Sequence, residues 1–232
     1  MNRWRKQSIM CTVSCITFVV KNLAREDVTA RSVLEIGSQD VNGSVRPIIE
    51  SWGPKEYVGV DIVKGPGVDK VCQVENLLEQ FGEKKFDIVI STELLEHVRY
   101  WRKAVSNIKG ICESSGTIIL STRSYGFPYH GFPHDFWRYE VADVRHIFSD
   151  CDLLALESDR LEPGVLMKLR KPITFMENDL STYALYSIVA GKRQKEISDD
   201  DLKSWHFRSV VLRSKLNTLL VAEILQRFLS PH

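Results

Sequence analysis

The 232-residue sequence lacks any CxxC pair, and its five cysteines, Cys11, Cys15, Cys72, Cys112 and Cys151, are odd in number. A disulfide framework and a zinc site are thereby set aside, and reduced thiols in a cytoplasmic protein are expected. Charge of one sign is lacking too, since 31 Lys and Arg stand against 30 Asp and Glu, a net charge of +1. Such a balance carries no argument for a nucleic acid as partner, and none is expected. No apolar run is long enough to span a bilayer. The nearest to one, SIMCTVSCITFVV at 8–20, follows Arg3, Arg5 and Lys6 as the core of a signal peptide would. KNLARED then arrives with no small-residue cleavage site, so an amphipathic helix packed on the domain is the better expectation, and no membrane partner. Internal repeats and low-complexity tracts are also missing.

What is present is an alternation of short apolar runs with helical periods. SVLEI (32–36), EYVGVD (56–61), DKVCQV (69–74), FDIVIS (86–91) and GTIILST (116–122) read as five strands. GSVRPIIESW after the first is compatible with a helix, and RYWRKAVSNIKGIC (99–112) places Trp101, Val105, Ile108 and Cys112 on one helical face. Strands of this kind imply an α/β fold with a parallel, doubly wound sheet covered on both faces. CDLLALESD and GVLMKLRK beyond residue 150 read as closing strands, and TYALYSIVAGKR as a further one at an edge. DDDLKSWHFRSVVLRSKLNTLLVAEILQRFL (199–229) is a helical pattern that begins with acids and has Arg227 near its end, with Leu212, Leu216, Leu219 and Leu220 as its apolar stripe, for which core packing is the default.

A doubly wound sheet binds ligands beyond the carboxyl ends of its strands. The loop after the first strand, LEIGSQDVNGS (34–44), is poor in glycine: Gly37 is followed by five other residues before Gly43. A dinucleotide needs G-x-G-x-x-G for its diphosphate, and here Asp40 stands in the way, which disfavours a nicotinamide oxidoreductase. A hydroxyl-bearing, acidic loop better suits a cofactor with a cationic or zwitterionic end. Asp61 ends the second strand 24 residues after Gly37, placed either to accept both hydroxyls of a ribose or to serve as a turn residue.

VLEIGSQDVNGS, YVGVDI and FDIVISTELLEHV, in this order, resemble the class I S-adenosylmethionine-dependent methyltransferases, in particular the group labelled methyltransferase type 11. The resemblance covers roughly residues 31–150. It implies a Rossmann-like, mostly parallel seven-stranded sheet and S-adenosylmethionine as cofactor. Glu35, Gly37, Ser38 and Gly43 would wrap the methionine end, and Asp61 with Ile62 would meet the ribose. Gln73 and Val74 would lie at the adenine, and Ser91, Thr92 and Glu93 near the transferable methyl. Two positions depart from the family pattern: Gln39 replaces a common glycine, and Gln73 stands where an Asp is usual. These departures leave open a second reading, a binding domain that has lost turnover. The chain is expected to form one domain, with an N-terminal helical segment 1–30, a cofactor-binding core 31–172 and a C-terminal strand and helix extension 173–232.

The acceptor, a small molecule or glycan intermediate, is expected to meet the loop at 123–139. YHGFPHDFWRYE gathers His130, His134 and Asp135 as candidates for removing a proton, and Trp137, Arg138 and Tyr139 as candidates for gripping the acceptor. Pro128, Gly131 and Pro133 exclude a regular helix there. His97, sharing a turn with Glu93 and Glu96, is a fourth base candidate or a structural histidine. A metal held by His97, His130, His134 and Asp135 lacks a tight ligand-pair motif, so none is expected. Composition is silent on whether copies of the chain associate.

Overall fold

The computed structural model describes residues 13–41, 43–131 and 134–229, with side chains in the last helix described to residue 220 apart from Thr218. Cys11, Pro133 and residues 8–12 of the N-terminal apolar run therefore lie outside the described residues, as does the side chain of Arg227. In chain order come α1 (Val13–Asn22), α2 (Arg25–Val28), β1 (Ser32–Ile36), α3 (Arg46–Ser51), β2 (Glu56–Asp61), β3 (Lys70–Val71), α4 (Leu77–Phe81) and β4 (Phe86–Ser91). These are followed by α5 (Trp101–Ile111), β5 (Cys112–Arg123), β6 (Trp137–Arg138), α6 (Val141–Ile147), β7 (Asp152–Ser158) and β8 (Gly164–Arg170). A hairpin of β9 (Leu185–Ser187) and β10 (Lys192–Gln194) leads to α7 (Asp199–Lys203) and α8 (Trp205–Leu229).

Seven strands form one sheet in the order β3-β2-β1-β4-β5-β8-β7. The first five pair in parallel, and β8 runs antiparallel between β5 and β7. The fold is thus the α/β, Rossmann-like, mostly parallel seven-stranded sheet expected from the sequence. Strands β1, β2 and β4 are apolar on both faces because both faces are covered. On one face Leu34, Val60 and Val89 meet Trp101, Val105 and Ile108 of α5. On the other, Val33, Ile88 and Ile90 meet Phe18 and Val19 of α1 and Ile49 of α3. A buried side chain of that size stabilises by about 1.5–3 kcal/mol, so α1 is held by its packing despite its ten-residue length.

Four expectations are corrected. The third strand shrinks to Lys70–Val71, because Gln73 begins a 3-10 turn at Val74–Asn76. Residues 182–193 do not extend the main sheet; β9 and β10 form a separate three-stranded sheet with β6. The C-terminal helix is broken at Ser204, whose backbone is extended. Its leucine stripe is not core: Leu212, Leu216, Leu219 and Leu220 are all more than half exposed.

The strand order reverses between β1 and β4, and the crevice beyond their carboxyl ends is where such a sheet takes a ligand.

Candidate functional site

A cavity of about 450 Å³ opens at that crevice, lined by Gly37, Asp61 and Gln73 at one end and by His97, His134 and Phe136 at the other. The ends of β1, β2 and β3 supply the first group; the turn after β4 and the loop before β6 supply the second. Ile62, Val63 and Val74 give the cavity apolar walls, and Gln39 joins its rim.

Gly37 is in the left-handed region (φ +78°), and a Cβ there would lie 3.3 Å from Leu94 Cδ1, which packs beneath the loop. Both oxygens of Asp61 accept backbone hydrogen bonds, Oδ2 from Gln39 N–H and Oδ1 from Val63 N–H, each at 3.2 Å. Asp61 is therefore a turn residue, and it also faces the cavity, where each carboxylate oxygen keeps a further lone-pair direction. The two readings of Asp61 are compatible.

The loop is fixed from below. Gly59 N–H donates to Asp69 Oδ2 at 2.7 Å, and Arg46 of α3 donates to Asp69 at 2.8 Å and to the Gly67 carbonyl at 3.1 Å. Asp40 N–H donates to the Pro66 carbonyl at 2.9 Å, closing the loop without the second glycine that Gln39 replaces.

A smaller recess adjoins the cavity, lined by Glu35, Gly37, Ser38, Gly43 and Thr92. Ser38 Oγ is buried there with no hydrogen-bond partner among the described residues. Tyr57 donates to Glu35 Oε2 at 2.7 Å. Burial pushes the Glu35 carboxyl up to about 7, against the lowering effect of the Tyr57 hydrogen bond and Arg46. A carboxyl whose charge burial disfavours would gain from a cation beside it, so it and the unsatisfied hydroxyl suit a polar, cation-bearing group.

Two residues expected at the transferable methyl are placed elsewhere. Ser91 Oγ donates to the Ile36 carbonyl at 2.9 Å, tying β4 to β1. Glu93 is buried against Arg123 and accepts from Ser121 Oγ at 3.0 Å, with Cys15 of α1 alongside. Both support the strand ends, and neither lines the cavity.

The loop at 123–139 divides sharply. Trp137 is fully buried and donates from its indole to the Val98 carbonyl at 3.0 Å, while Tyr139 donates to the Leu95 carbonyl at 3.3 Å. Arg138 is buried and held by both oxygens of Asp135 and by the Phe127 and Pro128 carbonyls. These three were expected to grip the acceptor; their polar groups are committed to the protein itself. Asp135 is no base either. Burial alone would raise its carboxyl, but hydrogen bonds from Arg138 and His130 hold it well below the usual carboxylate range. His130 is half-buried, with Nδ1 2.8 Å from Asp135 Oδ2. Burial opposes its charge, yet Asp135 and Glu96 keep the imidazole raised to about 9, which makes a poor proton acceptor at neutral pH. His97 and His134 are the two histidines that the cavity exposes.

Leu94, Val98, Tyr100 and Phe136 were missed as lining residues. Their apolar character inside TELLEHVRY and HDFWRY reads as core until the cavity is seen to open beside them.

Residues 5–157 match a family model described as a methyltransferase domain. None of the curated proteins compared with it matches the chain. Solved structures share the fold at low identity. A Listeria monocytogenes protein assigned to the S-adenosylmethionine-dependent methyltransferases has a TM-score of 0.54 at 12% identity, covering 68% of this chain and 98% of that one. The Burkholderia thailandensis 1,6-didemethyltoxoflavin-N1-methyltransferase, with bound 1,6-didemethyltoxoflavin and S-adenosylhomocysteine, scores 0.55 at 15%, covering 69% and 79%. An S-adenosylmethionine-dependent methyltransferase of Mesorhizobium loti scores 0.50 at 14%, covering 62% and 93%. Among the described residues no helix is long and apolar enough to cross a membrane.

Proposed function

This chain belongs to the methyltransferase-domain family, and from that premise we propose that it transfers the methyl group of S-adenosylmethionine to a small molecule or glycan intermediate. The observation that carries this reading is the continuity of the cavity, in which Gly37, Asp61 and Gln73 share one lining with His97, His134 and Phe136.

When bound, S-adenosylmethionine supplies an already activated methyl carbon, so the protein's part is to bind, align and exclude water. Asp61 accepts the ribose hydroxyls with the lone pairs its turn leaves over. Gln73 would hold the adenine amino group through its side-chain carbonyl, and Ile62, Val63 and Val74 would give the base apolar contact. Glu35, Ser38, Gly43 and Thr92 take the amino-acid end in the recess. The acceptor enters between His97, His134 and Phe136, where the exposed imidazole of His134 can take a proton from a hydroxyl or amine nucleophile. An acceptor that carries no such proton needs only the alignment.

Calorimetry tests the reading. S-adenosylmethionine and NAD are titrated separately into the purified chain, and binding of the first alone is expected. Binding of NAD alone would overturn the proposal, and binding of neither would make this a degenerate domain. The acceptor is then sought by incubating labelled S-adenosylmethionine and enzyme with a small-molecule extract and identifying by mass what gains a methyl group.

A further inference from the structure

Against the acceptor end of the cavity, three side chains meet that no local motif pairs: Glu96, His97 and His130. One ligand atom from each lies within 4.8 Å of the others. On each of the three side chains one polar atom is anchored. Glu96 is fully buried, its Oε2 accepts from Thr122 Oγ1 at 2.9 Å, and its Oε1 faces His130 Nε2 at 3.8 Å, beyond hydrogen-bond reach. His130 Nδ1 lies 2.8 Å from Asp135 Oδ2, and His97 Nδ1 lies 2.7 Å from the His134 carbonyl oxygen. Both oxygens are acceptors, so both Nδ1 atoms carry the hydrogen and each Nε2 is the ligating nitrogen. Asp135 is locked in turn by Arg138 at 2.7 Å.

We propose that Glu96 Oε1, His97 Nε2 and His130 Nε2 bind a divalent transition-metal ion of the zinc or ferrous kind. The donor set argues for that class, because two imidazoles and a carboxylate suit these ions, whereas magnesium and calcium take oxygen ligands. The anchored Nδ1 atoms are the feature that separates ligating histidines from packed ones: an Nδ1–H held on an oxygen fixes the ring and aims Nε2. Donors about 2.1 Å from an ion stand at most ~4.2 Å apart. The 3.8 Å between Glu96 Oε1 and His130 Nε2 already spans that gap. The three grouped atoms lie no more than 4.8 Å apart, within about 0.6 Å of that limit.

A plainer occupant of the gap is a proton, leaving His130 as an imidazolium between Asp135 and Glu96. Proton and metal compete for one lone pair. The distinction lies in His97, on which the ion pair makes no demand and the metal does. His97 also lines the cavity, so a bound ion faces the incoming acceptor. The site stands on its own geometry and does not depend on which acceptor is methylated.

The test uses the full chain stripped by chelator, titrated with Co²⁺ by visible absorption and with Zn²⁺ by calorimetry. One equivalent of Co²⁺ is expected, with ligand-field bands that Zn²⁺ abolishes. His97→Asn should weaken binding roughly tenfold or more, as should Glu96→Gln, which keeps the Thr122 hydrogen bond. Thermal melts establish that each variant is folded; because Glu96 is buried, the His97→Asn result decides. Absence of a stoichiometric Co²⁺ complex overturns the proposal. So does a folded His97→Asn chain that binds as tightly as the wild type, which would leave His130 as an ion-pair residue only.

Discussion

Glu35 ends the first strand with a carboxyl that its own neighbourhood does not want charged. The rise from 4.5 to about 7 is a stability statement of about 3 kcal/mol. The folded value lies above the unfolded one, so the contribution is fully present below about pH 4.5 and is lost as pH rises through 7. Glu35→Gln keeps the acceptor for Tyr57 and removes the titration. Urea unfolding at about pH 5 and pH 8 should show the variant gaining ~2–3 kcal/mol on the wild type between the two. An unchanged difference would mean Glu35 is charged in the fold. Asp61 makes a second case. Asp61→Ala should weaken S-adenosylmethionine by more than tenfold in calorimetry, since hydrogen bonds to a charged group are worth ~1.5–3 kcal/mol each. Affinity within twofold of wild type would leave Asp61 its turn role alone. His134, exposed at the cavity mouth, gives the third. With an identified acceptor, His134→Asn should leave cofactor affinity intact and lower turnover by ~10²–10⁴-fold, the usual contribution of a positioned base. Full turnover would assign any proton transfer elsewhere.

Elements, not single residues, hold the cofactor loop. Strand β2 passes so close beneath it that a Cβ on Gly59 would strike the Gly67 carbonyl and lie 2.7 Å from Ser38 Oγ. Backbone cannot rotate away as a side chain can, so Gly59→Ala must displace the loop. A cost of about 1–3 kcal/mol is expected, read as a melting temperature several degrees lower, together with weakened S-adenosylmethionine binding. Retained affinity at a lowered melting temperature would show that the loop adapts independently of β2. The strap before β6 is held by a buried ion pair instead, Asp135 with Arg138. Removing one partner of such a pair leaves a buried charge uncompensated.

For the whole molecule the question is what residues beyond the sheet contribute. The strap after β8 is stitched down by Arg102, which donates to the Leu180 and Lys195 carbonyls at 2.6 and 2.7 Å. Helix α8 is different: Phe207 is buried, Ser214 donates to the Tyr129 carbonyl at 2.8 Å, and Leu216, Leu219 and Leu220 are exposed. Replacing Leu216, Leu219 and Leu220 together by Ser should change unfolding free energy by no more than about 0.5 kcal/mol per site, as at other exposed positions. A loss of several kcal/mol in the purified chain would mean that the stripe is packed after all.

The sequence by itself determined the sheet. SVLEI, EYVGVD and FDIVIS are strands with the limits their apolar runs mark, because a strand buried on both faces writes its whole length in apolar residues. It also marked Gly37 and Asp61, since the carboxyl ends of such strands are where ligands are met. Only the tertiary structure decided which polar residues of HDFWRY face the cavity. Asp135, Arg138 and His134 look alike as a string, but the first two find each other and are buried, while His134 is left at the rim. The same holds for Glu96 and His130, 34 positions apart, which the folding of the strap onto the turn after β4 brings within 3.8 Å. Local pattern records whether a residue prefers water; the partner that lets a charge leave water is set by long-range packing, which no short stretch contains.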